Sequence, residues 1–234
     1  MFCGCVAILA FLSNDYISGI ILVLVSAIFD FLDGFVARLL DVQSELGKQL
    51  DSLADMISFG FVPGIILFLA LKGPLNSNNE YISETINQSY LPLFGFIITV
   101  FSGLRLAKFN MDSRQSLSFL GLPTPANTLF FLTLPLIWIN ENPEDWTYNL
   151  TFNKPILIGL IILFSYLLIS EIPLLSLKFK GFGVKENLYR YILLILSLIA
   201  VLILKHLSIP AILIIYVIIS LFENIQNRDK IICK

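Results

Sequence analysis

The chain has 234 residues, 57% of them hydrophobic and 14% charged, with a net charge of −2 and a mean hydropathy of +0.86. No soluble domain of this length needs so much apolar surface, so the composition excludes a soluble globular protein. It predicts an all-α integral membrane protein, a single polytopic domain over 1–234.

A membrane-crossing helix takes about 20 mostly apolar residues. Runs of that kind fall at 2–13, 19–40, 48–71, 91–110, 122–140, 155–171, 188–207 and 208–222, which predicts about eight transmembrane helices. The first is short and starts at Met1 without the basic flank or small-residue cleavage site of a signal peptide. It is expected to be the truncated remainder of a longer helix. Cys3 and Cys5 lie in it with no His or further Cys at metal-binding spacing, so they read as small helix-packing residues. In the third run, Gly60 and Pro63 predict a bend whose freed backbone groups need a cavity or a partner helix. Pro123 and Pro125 read as the start of the fifth helix. The last two runs are separated only by KHLSIP, which predicts a tight helical hairpin with Pro210 in the first turn of the final helix.

Basic residues accumulate in cytoplasmic loops. If the segments alternate, one side receives Arg38, Lys48, Arg105, Lys108, Arg114, Lys178, Lys180, Lys185, Arg190, Arg228, Lys230 and Lys234, twelve of the 15 basic residues. The other side receives Lys72, Lys154 and Lys205. Both termini are therefore expected in the cytoplasm, with the Asn-rich loop NSNNEYISETINQS outside and Trp138, Trp146 and Tyr148 in an interfacial aromatic belt.

Against this apolar background the stretch FDFLDGFVARLLDVQSELGKQLDSLADMISFG, from Phe29 to Gly60, is anomalous. Asp30 and Asp33 are three residues apart and Asp51 and Asp55 four apart, so each pair lies on one face of its helix. The stripes continue through Gly34, Ala37 and Arg38 on one helix and through Gly47 on the other. The short connection makes the helices antiparallel neighbours, a catalytic pair over 19–72 whose carboxylates can face each other near the cytoplasmic surface. Ionisable groups inside a membrane are costly, so something positive must stand between them. An all-oxygen ligand set favours Mg²⁺, Mn²⁺ or Ca²⁺ over zinc. Magnesium held by carboxylates commonly shares its sphere with substrate phosphates, and Arg38 can supply a bidentate phosphate contact.

The pattern Asp30-x-x-Asp33-Gly34-x-x-Ala37-Arg38, eight residues, Gly47-x-x-x-Asp51-x-x-x-Asp55 resembles the full signature of the CDP-alcohol phosphatidyltransferases. GKQLDSLADMISFGFVPG, LRLAKFN, GLPTPAN and IPLLSLKFKG are similar, in that order, to the phosphatidylserine synthase branch. That branch usually has a further N-terminal piece, including part of the nucleotide pocket, and a small residue often stands before the proline of Val62-Pro63-Gly64. The resemblance implies transfer of a phosphatidyl group from CDP-diacylglycerol to L-serine, giving phosphatidylserine and CMP in phospholipid biosynthesis. It implies that Asp30, Asp33, Asp51 and Asp55 hold two divalent ions, Mg²⁺ or Mn²⁺, and that Asp55 is also the general base. Gly34, Arg38 and Ser44 would contact the cytidine diphosphate, with Ala37 and Gly47 leaving room for it. A homodimer in the bacterial inner membrane is implied too, with no nucleic-acid partner.

The acceptor pocket is expected around Arg105, Lys108 and Asn110, where either cation can hold a serine carboxylate. The alternatives are an acceptor bearing a phosphate, glycerol phosphate or inositol phosphate, which would want a denser basic pocket, and a divalent-cation transporter. The latter explains the carboxylates but not Gly34, Arg38 and Gly47 beside them.

Overall fold

The computed structural model describes residues 1–42, 44–74, 90–111, 119–175 and 187–232; the side chains of Arg38, Phe119, Leu120, Pro173, His206 and 224–232 are outside the described set. The Asn-rich loop, Arg114, and Lys178, Lys180 and Lys185 also lie outside the described residues. Helix α1 (Phe2–Leu12) turns back into α2 (Tyr16–Leu39) through Asn14, whose φ is +62°. Asp15 starts α2 by accepting the Ser18 N–H at 3.2 Å, and its bonds to Ser18 hold its carboxyl below the usual carboxylate range. Hydrophobic burial does not drive helices together in lipid, so α1 and α2 associate by close approach. Gly19 allows it: a Cβ there would lie 2.8 Å from the Phe11 ring.

Helix α3 (Glu45–Asp55), a π-helical turn (Met56–Phe61) and α4 (Val62–Lys72) follow as one continuous run. Where Gly60 and Pro63 predict a bend, the helix makes this π-turn, and two of its carbonyls accept from partner helices. Pro63 has no N–H to offer the Phe59 carbonyl four residues earlier. Thr128 Oγ1 donates to that carbonyl instead at 2.8 Å, sharing its one proton with the Thr124 carbonyl at 3.0 Å, and Thr99 Oγ1 donates to the Gly60 carbonyl at 3.0 Å. Gly73 closes α4 at φ +104°.

A 3₁₀ turn (Leu91–Phe96) runs into α5 (Ile97–Met111). Gly95 in that turn touches the α4 backbone so closely that a Cβ would sit 2.7 Å from Phe68 N and 3.0 Å from Gly64 O. Then come β1 (Phe119–Leu120), α6 (Thr124–Phe131), α7 (Thr133–Asn140), α8 (Trp146–Leu150), α9 (Lys154–Ile169) and β2 (Pro173–Leu174). The two short strands pair antiparallel, Phe119 opposite Leu174. Pro123 and Pro125 do start α6, and the expected helix over 122–140 continues through a turn at Leu132 into α7, the Leu132 N–H donating to the Thr128 carbonyl at 2.9 Å and the Leu136 N–H to the Leu132 carbonyl at 3.3 Å. Helices α10 (Leu188–Leu204) and α11 (Ser208–Ile232) form the expected hairpin through Lys205, at φ +48°, with Pro210 in the first turn of α11.

The core gathers on α4, whose Ile66, Leu67 and Leu71 are fully enclosed with Phe11 of α1 and Phe131 of α6. Three helical runs among the described residues are long and apolar enough to cross a membrane: Tyr16–Ala37, Glu45–Lys72 and Leu91–Met111. Four more apolar helices, Phe2–Leu12, Lys154–Ile169, Leu188–Leu204 and Ser208–Glu223, are shorter. The protein is thus a helical membrane protein, and among the described residues three of the eight apolar runs form single helical runs of full spanning length. Turns and helix breaks interrupt regular helix inside several of those runs.

Candidate active site

Helix α2 ends at the turn containing Asp41, at φ +52°, where the Val42 N–H reaches back to the Ala37 carbonyl at 3.1 Å. Ser44 then caps α3, its Oγ accepting the Gly47 N–H at 3.0 Å. Glu45 in the first turn suits the positive end of the helix dipole, and it pairs with Lys48 at 3.1 Å in the open. This tight return lays α3 beside α2.

The result is a cluster of carboxylates. Asp30, Asp33 and Asp51 each offer an oxygen, and the three oxygens lie within 4.8 Å of one another. Asp55, one turn deeper, is in electrostatic contact with Asp30, Asp51 and Arg105, and its Oδ1 is buried without a hydrogen-bond partner. Carboxylates this close in a medium of low dielectric repel strongly. An all-oxygen donor set with a buried orphan oxygen fits a hard divalent cation, and these four residues are the ones that would hold it.

Two cavities flank the cluster. One of about 600 Å³ is lined by Asp33, Gly34, Ala37, Ser44, Gly47 and Asp51, which gathers four of the five residues expected around the nucleotide. A second, of about 340 Å³, has Asp30, Asp33 and Asp55 on its wall with Ser26, Ser58 and Phe59. Ser26 Oγ donates to Ser58 Oγ at 2.8 Å, tying α2 to the π-turn beside the acids. The sequence reading missed these serines and the threonines that hold the π-turn; their only signal was a hydroxyl within an otherwise apolar helix.

The three candidates for the acceptor pocket are distributed differently. Arg105 is buried, donates from Nη1 to Thr124 Oγ1 at 3.4 Å and lies over the Phe109 ring at 5.8 Å. Its Nε has no hydrogen-bond partner, and its charge faces Asp55. Lys108 is exposed and pairs with Glu171 at 3.0 Å, also reaching the Ile169 carbonyl at 3.4 Å, so it ties α5 to the end of α9. Asn110 donates from Nδ2 to Ser52 Oγ at 2.8 Å, bringing the end of α5 to the acidic helix.

Comparison with known proteins gives the family. Residues 1–174 match the family model described as CDP-alcohol phosphatidyltransferase. A CDP-diacylglycerol–serine O-phosphatidyltransferase of Helicobacter pylori is 30% identical over 200 residues, covering 85% of this chain and 76% of that protein. The Bacillus subtilis protein of the same name is 28% identical over 175 residues, 73% of this chain and 81% of its own length. The archaetidylserine synthase of Methanothermobacter thermautotrophicus is 33% identical over 138 residues, 56% of this chain and 53% of its own. With the family match spanning both helices that carry the carboxylates, the chain belongs to the CDP-alcohol phosphatidyltransferase family.

Proposed function

We propose that the protein is a CDP-diacylglycerol–serine O-phosphatidyltransferase, moving the phosphatidyl group from CDP-diacylglycerol to L-serine with release of CMP. The observation that carries the reading is the convergence of Asp30, Asp33 and Asp51, with the unpartnered Asp55 oxygen behind them, in a family whose relatives bear that name. Asp30, Asp33, Asp51 and Asp55 would hold two divalent ions, Mg²⁺ or Mn²⁺, which when bound neutralise the pyrophosphate and stabilise departing CMP.

The residues of the chain do the rest. The serine hydroxyl is a poor nucleophile at neutral pH, so a base must take its proton as it attacks the phosphatidyl phosphorus. The Asp55 carboxylate accepts that proton as the new O–P bond forms and the bond from that phosphorus to the CMP oxygen breaks. Gly34, Ala37 and Gly47 leave room for the cytidine diphosphate, and Arg38 and Ser44 contact it. Arg105 holds the serine carboxylate, and Lys108 and Asn110 stand at the rim of that acceptor pocket. One buried cation suits an amino-acid carboxylate better than an acceptor phosphate, which would call for several.

The protein is further proposed to cross the bacterial inner membrane about eight times, with both termini and the carboxylates cytoplasmic, as a homodimer. Crosslinking in native membranes that yields only monomer would refute the dimer. The test of the activity is CMP release from CDP-diacylglycerol by detergent-purified protein with Mn²⁺ or Mg²⁺. Serine, glycerol 3-phosphate and inositol phosphate are compared, with a chelator control. Release that depends on serine and metal is the expected result. Release with a phosphate-bearing acceptor would move the protein to another branch, and no release from folded full-length protein would overturn the reading.

A further inference from the structure

We infer that the π-turn after Asp55 sets the rotation of the acidic helix, and that Thr128 and Thr99, which hold this turn, are positioning residues for Asp51 and Asp55. Helix α4 is locked by packing: Val62 to Leu67 and Leu69 to Leu71 are buried. Helix α3 buries no residue at all, so packing does not decide which way its carboxylates face. Beyond the Ser44 cap, α3 meets other helices through the exposed bond from Asn110 to Ser52 and through the contacts of Asp51 and Asp55 with Asp30, which join like charges that repel when ionised. Its facing is inherited through the π-turn from the locked half.

A π-turn carries one residue more than the matching α-turn, and one residue is about 100° of helix rotation. Regular helix through Met56–Phe61 would therefore swing Asp51 and Asp55 away from Asp30 and Asp33. What maintains the irregular turn is a set of buried hydroxyls. Thr128 satisfies the Phe59 carbonyl, which Pro63 leaves without its α-helical donor. Thr99 satisfies the Gly60 carbonyl, and Ser58 is pinned to Ser26. Neither threonine lines the carboxylate cavities. The inference rests on the transferase reading only in its activity readout.

The experiment uses the detergent-purified full chain and three measurements: thermal unfolding, Mn²⁺ binding followed by electron paramagnetic resonance, and CMP release with serine. Thr128→Val should lower the unfolding temperature and weaken Mn²⁺ binding about ten-fold or more, with turnover falling alongside. Thr128→Ser, which keeps the hydroxyl, should behave as the unmodified protein does. Thr128→Val combined with Pro63→Ala restores a donor to the Phe59 carbonyl in the regular α pattern. It should recover stability but not Mn²⁺ affinity or turnover. Recovery of all three in the double variant overturns the inference, as does a folded Thr128→Val with unchanged Mn²⁺ affinity. If Thr128→Val does not fold, Thr99→Val takes its place, and unchanged Mn²⁺ affinity in that variant is equally fatal. Unmodified protein that binds Mn²⁺ yet releases no CMP would overturn the transferase reading alone, leaving the metal-binding arm to judge the turn.

Discussion

Along the run Glu45–Lys72, the half beyond the π-turn is enclosed by neighbours on nearly every side, while the half before it has no buried residue. The two halves share a backbone and divide the work. The enclosed half supplies a fixed reference inside the bundle, and the open half can spend its surface on carboxylates, a capping serine and cavity walls. A helix packed all along its length would have no room for substrates between the acids, and one open all along would have nothing to hold the acids still.

Substitutions at the two halves should have opposite signatures. The largest effect is expected from Asp55→Asn, which keeps the shape and removes the proton acceptor. Turnover in the CMP-release assay should fall by about 10² to 10⁴ while the unfolding temperature hardly moves. Loss of the fold in that variant would mean the open half carries more of the stability than its exposure suggests. Gly95→Ala attacks the enclosed half, because its Cβ would press on the backbone of Phe68 and Gly64. It should cost about 1–3 kcal/mol, read as a lower unfolding temperature in detergent, with the Mn²⁺ requirement of the folded enzyme unchanged. The smallest effect is expected from Lys108→Ala, since that exposed pair with Glu171 is worth at most about 1 kcal/mol. Initial rates at varied serine should show KM rising a few-fold at constant kcat.

The acidic site was legible in the sequence because its logic is local. Steps of three and four place Asp30 with Asp33 and Asp51 with Asp55, and a short connection folds one pair onto the other. Gly60 and Pro63 announced a bend for an equally local reason. The partners that stabilise the bend were not legible, because Thr99 and Thr128 are 39 and 69 residues away from the carbonyls they cap. The engagement of Lys108 with Glu171 and of Asn110 with Ser52, 63 and 58 residues apart, was hidden in the same way. Hydropathy also says nothing of where regular helix is interrupted. It registers that 122–140 is apolar but not that regular helix is interrupted at Leu132, although Pro135, which has no N–H for the Phe131 carbonyl, is a local signal for it.

The aromatic residues at the other end of α2 bear on how the protein can be watched. Trp138 stacks on Phe152 at 5.4 Å and meets the edge of Tyr16 at 5.1 Å, and the second tryptophan, Trp146, is exposed in the nearby α8. Tyr16 opens α2 and Asp30 stands fourteen residues further on, about 20 Å along the helix axis. Both tryptophans therefore belong to the end remote from the carboxylates. Emission from them will follow melting, detergent exchange and insertion at that end, and will stay nearly silent when a cation or nucleotide arrives at the other. An optical signal for ligand arrival has to be introduced, and the exposed face of α3, which takes no part in the core, is the place where a label would disturb the fold least.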